Sequence, residues 1–137
     1  MFTNPSSDDI RELLRTVKTI AVVGYSPKAD RPSHRIARAL QGFGYQVIPV
    51  RPLLAEALGA KAYSRVSELP QAPDLVDVFR ASDAVDEIVD DCIAIGAKRL
   101  WLQDGVINEA AAERARAAGI TVIMDRCIWR DYQSLMS

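Results

Sequence analysis

Short β-branched runs alternate with helical stretches along this chain, and that alternation restricts its fold more than any single motif does. Thr19-Ile20-Ala21-Val22-Val23, Tyr45-Gln46-Val47-Ile48-Pro49-Val50, Asp74-Leu75-Val76-Asp77-Val78-Phe79, Arg99-Leu100-Trp101-Leu102 and Ile120-Thr121-Val122-Ile123-Met124 each read as a strand. Between them, apolar residues recur at helical spacing. Ser6-Ser7-Asp8-Asp9 caps a first helix running to about Val17 through Ile10, Leu13 and Leu14. Ile36, Ala37, Leu40 and Phe43 stripe a second, which ends at Gly42-Phe43-Gly44. Ser82 caps a third, bearing Val85, Ile88, Val89, Cys92 and Ile93 and closed by Gly96. Asn108 caps an Ala-rich fourth from Glu109 to Ala118, which Gly119 stops. Arg51 to Pro73 is less regular, with helical turns expected over Leu53–Leu58 and Val66–Leu69. A strand that leads into a helix and then another strand needs a crossover connection. The expected architecture is therefore α/β, a doubly wound, five-stranded, mostly parallel sheet with helices on both faces. With 137 residues the chain has room for one such domain, spanning 1–137.

Ligands of such sheets bind beyond the carboxyl ends of the strands, so the loops there are where function is sought. The first of them, Gly24-Tyr25-Ser26-Pro27-Lys28 with Arg31-Pro32-Ser33 behind it, can hold phosphate. Gly24 lets the backbone turn sharply, the helix that follows offers unpaired N–H groups, Ser26 and Ser33 offer hydroxyls, and Lys28 and Arg31 offer charge. The loop matches neither GxGxxG nor a P-loop. It reads equally well as a polar connection with a helix cap at Ser33. The second strand ends in Arg51-Pro52, where an NAD-binding protein carries an acid, so the residues favour a phosphorylated ribose, as in NADP or coenzyme A.

These blocks resemble, in order, the small stand-alone CoA-binding proteins, whose domain is similar to the CoA-binding domain of the succinyl-CoA synthetase alpha subunit. The resemblance is carried by Ala21 to Lys28 with Arg31-Pro32-Ser33, Val47 to Pro52, Val76-Asp77-Val78-Phe79-Arg80, Ile95 to Lys98, Leu100 to Gly105 and Met124 to Cys127. It implies a Rossmann-like fold with coenzyme A or an acyl-CoA across the strand ends. The diphosphate would lie at Gly24 to Ser33, the adenosine at Arg51 and Pro52, and the pantetheine along Val78, Phe79, Arg80, Gln103 and Gly105. Arg51 stands where the family usually has asparagine; its charge suits a 3′-phosphate.

Catalytic chemistry is harder to find. The chain has one histidine, His34, and no Ser-His-Asp or Cys-His spacing. Cys92 and Cys127 form neither a CxxC pair nor, with one histidine, a zinc set, so free thiols and no metal are expected. Cys127 follows the fifth strand beside Arg126, where a reactive thiol can form a mixed disulfide with CoA. Trp101 and Trp129 read as packing residues. A net charge of -1 without a basic block gives no nucleic-acid footprint. No apolar run is long enough to span a membrane, and Met1 to Arg15 does not read as a secretory signal, so a cytoplasmic setting is expected. The expected role is a non-catalytic carrier, sensor or regulatory module for CoA. The alternative is an NADP-binding or CoA-dependent enzyme subunit that needs a partner for catalysis. The C-terminal segment from Cys127 to Met136, with Ile128, Trp129, Tyr132 and Leu135, either covers the sheet or pairs with a second copy.

Overall fold

A computed structural model describes residues 1–136. In chain order the strands are β1 (Thr19–Val23), β2 (Gln46–Val50), the short β3 (Glu56–Ala57) and β4 (Ala60–Lys61), β5 (Leu75–Val78), β6 (Arg99–Leu102) and β7 (Thr121–Ile123). The main sheet has the strand order β2-β1-β5-β6-β7, and every pairing in it is parallel. All four residues of β5 are buried, as expected of a central strand covered by helices on both sides. Helices α1 (Ser7–Thr16), α2 (Pro32–Gly42) and α5 (Ile128–Leu135) cover one face, where Ile10, Leu14, Leu40 and Ile128 pack on Ile20, Val22, Leu75 and Trp101. Helices α3 (Val85–Ile95) and α4 (Glu109–Ala117) cover the other, with Val85, Val89 and Ala112 against Ala21, Val76 and Leu100. The chain winds outward from β1 in one direction to β2 and in the other to β5, β6 and β7, so the order reverses between β1 and β5.

Caps at Ser6 and Asn108 form as expected, accepting from Asp9 N at 3.2 Å and Ala111 N at 3.0 Å, and Gly96 ends α3 with φ +81°. Two local expectations are corrected. Leu53–Leu58 is not helical: Glu56–Ala57 (β3) and Ala60–Lys61 (β4) form a two-stranded hairpin around Leu58 and Gly59, both left-handed at φ +57° and +75°. Ser82 does not cap α3. It opens a 3-10 turn, Ser82–Ala84, and its hydroxyl accepts from Ile107 N at 2.9 Å, a contact made by a distant loop.

The C-terminal helix covers its own chain. Phe43 and Tyr132 stack with centroids 3.8 Å apart and planes 5° from parallel, and Arg11 Nε donates to the Leu135 carbonyl at 2.9 Å. At the other end of the chain Phe2 is buried in the core beneath an Arg116 guanidinium, and the Asn4 carboxamide both donates to Met124 O at 3.0 Å and accepts from Met124 N at 2.8 Å.

Candidate functional site

A cleft of about 540 Å³ opens at the carboxyl ends of the strands where their order reverses, a size and position typical of small-molecule sites in open α/β sheets. At its edge the chain leaving β1 and the chain leaving β5 come close together. Gly24 has φ +83°, and a Cβ there would come within 3.0 Å of the Phe79 carbonyl oxygen and 3.1 Å of Arg80 Cδ. Glycine is required both for the turn and for the close approach of the two strand ends.

The loop after Gly24 is held from α2. Ser26 N donates to Ser33 Oγ at 2.9 Å, and Lys28 N donates to Ser26 Oγ at 3.2 Å. The alternative reading of Ser33 as a helix cap does not hold: Pro32 is the first helical residue and Arg31 stands before it with no side-chain cap bond among the described residues. Ser33 lies a position further in, and its hydroxyl serves the loop instead. Pro32 has no N–H, and the His34 and Arg35 amides both donate to the Arg31 carbonyl at 3.1 Å, so the Ser33 N–H is the first-turn donor left without a partner among the described residues, in a helix start with no acidic residue.

Gly24, Ser26, Lys28, Arg31 and Ser33 from this loop line the cleft, with Arg51 just past β2, Phe79 just past β5, Gln103 just past β6 and Cys127 before α5. Tyr25, Pro27, Pro52, Val78, Arg80 and Gly105 are not part of that lining. Tyr25 turns into the core at 2% exposure, with its hydroxyl 3.1 Å from His34 Nδ1, so burial raises its pKa. Val78 is fully buried against the α3 side, because strand alternation sends it to the face opposite Phe79. Pro27, Pro52, Arg80 and Gly105 are exposed beyond the rim.

Four lining residues were missed: Pro32, Ile36, Asp104 and Val106. Ile36 was legible as the first apolar residue of α2, but was read only as core. Lys28, Arg31 and Arg51 form no ion pair among the described residues, whereas Asp104 is bound by both Arg130 Nη atoms at 2.9 Å, which lowers its pKa. The charge that the cleft leaves uncompensated is thus positive. Gln103 closes the floor: it is buried, and its Oε1 accepts from Ile128 N at 3.1 Å. Cys127 is half-buried on the wall, while Cys92 lies in the core with its thiol pushed up to about 12 by burial.

One acid does neither of the things expected of a strand-end carboxylate. Asp77, in the middle of β5 between Val22 and Trp101, is fully buried, and neither oxygen has a hydrogen-bond partner among the described residues. Asp74, by contrast, sits at the opposite end of the sheet and accepts from Lys18 N and Thr19 N. No helix among the described residues is long and apolar enough to cross a membrane.

The chain is similar to known proteins. The sequence profile described as a CoA binding domain matches residues 18–133. YneT of Bacillus subtilis is 43% identical over 125 residues, covering 91% of this chain and 93% of that one. A protein of Pyrococcus horikoshii OT3 superposes with a TM-score of 0.92 at 35% identity, over 100% of this chain and 99% of the other. An acetate–CoA ligase (ADP-forming) of Archaeoglobus fulgidus is 25% identical over 121 residues, and this chain spans only 18% of its length. The apo dinucleotide-forming acetyl-coenzyme A synthetase 1 of Ca. Korarchaeum cryptofilum matches with a TM-score of 0.69 at 29% identity, over 80% of this chain and 27% of that one.

Proposed function

We propose, from the premise that the chain belongs to the CoA binding domain family, that its cleft binds coenzyme A or an acyl-CoA and that the chain acts as a non-catalytic carrier, sensor or regulatory module. The observation that carries this reading is the uncompensated trio of Lys28, Arg31 and Arg51 gathered in one cleft with the start of α2. A helix start and free cations together form an anion site, and a diphosphate supplies two adjacent charges to fill it. Phe79, Ile36 and Val106 give the same cleft an apolar wall for a pantetheine arm. Within this reading the work is recognition: the Ser26–Ser33 bond fixes the loop before the ligand arrives, which limits the ordering cost of binding.

Calorimetric titration with CoA, dephospho-CoA, NADP and NAD tests it. CoA is expected to bind most tightly; a preference for NADP, or no binding by any of the four, would sink the reading. A second role is favoured by the relatives in which this domain is a small part of a ligase. There the chain would serve as the CoA-binding subunit of a partner that supplies catalysis. Acyl-CoA formation appearing only when such a partner is added would separate the two roles.

A further inference from the structure

The cations of the cleft are not equivalent. Arg51 leaves the end of β2, yet its Nη1 donates to the carbonyl oxygen of Tyr25, 3.2 Å away just past the end of the neighbouring β1. Its backbone N–H is engaged elsewhere, donating to Tyr63 O at 2.8 Å. The Tyr25 carbonyl lies between Gly24, which makes the turn, and Ser26, whose N–H is tied to Ser33 in the first turn of α2. The guanidinium is therefore drawn over the turn that leads to the helix start. A guanidinium carries five N–H donors; the Tyr25 bond uses one, and Nε and Nη2 make no hydrogen bond among the described residues.

Resting on the CoA reading above, we propose that Arg51 recognises the diphosphate of the ligand together with the start of α2, and that the 3′-phosphate on the ribose is not its partner. An arginine at a strand end reads in sequence as a ribose-phosphate contact; its bond to Tyr25 turns it toward the phosphate turn instead. The remaining donors form a fork suited to two phosphate oxygens, and the tether to Tyr25 fixes that fork before the ligand binds.

Titrating the unsubstituted chain, Arg51→Ala and Arg51→Lys with CoA and dephospho-CoA decides the matter. Arg51→Ala is expected to weaken both ligands by a similar factor of about tenfold or more, since even one charge-assisted hydrogen bond of the fork accounts for that much. The preference for CoA over dephospho-CoA should stay within about twofold of that of the unsubstituted chain, as for independent sites. Arg51→Lys should fall between, since it keeps the charge and loses the fork. Arg51 is exposed, so circular dichroism should show both variants folded. If Arg51→Ala loses affinity for CoA alone, so that the preference collapses, the assignment is overturned while the CoA reading stands. Unchanged affinity for both ligands overturns it equally. If the unsubstituted chain binds neither, the CoA reading fails and takes this assignment with it.

Discussion

A carboxylic acid in the middle of a parallel sheet has to keep its proton to remain there. Asp77 is fully buried with both oxygens unpartnered among the described residues, and burial raises its pKa well above the usual carboxylate range. In the unfolded chain the same group ionises near pH 3.9. Its contribution to stability is therefore full below that value and is lost as the pH rises toward the folded-state pKa. Asp77→Asn, which cannot ionise, is expected to flatten the pH dependence of urea unfolding by up to about 1.4 kcal/mol per pH unit above about pH 4. An identical slope in both proteins would show that Asp77 does not hold its proton. The sequence displayed this residue without revealing its state: an aspartate near a strand end ordinarily caps a helix or meets an arginine. Only its burial in β5, between β1 and β6, shows that neither oxygen meets such a partner among the described residues.

The loop elements divide according to whether local chemistry or distant contacts decide them. The five sheet strands were legible because β-branched runs bounded by glycine and proline have few alternatives. The Leu53–Leu58 segment was not, since its leucines imitate helical spacing while backbone sign at Leu58 and Gly59 makes a hairpin. Ser82 has a capping residue's side chain, but the loop holding Ile107 claims its hydroxyl. The β1–α2 loop was legible in its turn at Gly24, whereas the alternative of a helix cap at Ser33 does not hold, because Pro32 begins α2 one residue ahead of Ser33. Gly24 is where this element is least tolerant. Gly24→Ala is expected to destabilise the fold by about 1–3 kcal/mol, through left-handed backbone and the 3.0 Å approach to Phe79 O. Thermal unfolding reads the loss, and a melting temperature equal to that of the unsubstituted chain would contradict it.

At the scale of the whole molecule, the cleft's position was foreseeable because strand order alone brings the carboxyl ends together. Which side chains face it was less so: Tyr25 and Val78 were assigned to the ligand, yet side-chain alternation and packing turn both inward. Beyond the cleft, β7 is an edge strand. Thr121 N donates inward to Lys98 O, so the backbone groups of Val122 and Met124, at odd offsets from it, face the open side. Asn4 occupies both groups of Met124. Asn4→Ala is expected to speed hydrogen exchange at the Met124 amide and to raise the average mass seen by light scattering at high protein concentration. Unchanged exchange and mass would show that the contact is incidental. An open parallel edge is a template on which identical molecules can stack. At Met124, just past the end of β7, one carboxamide takes the place that a neighbouring strand would fill, and it comes from a residue more than a hundred positions away in sequence.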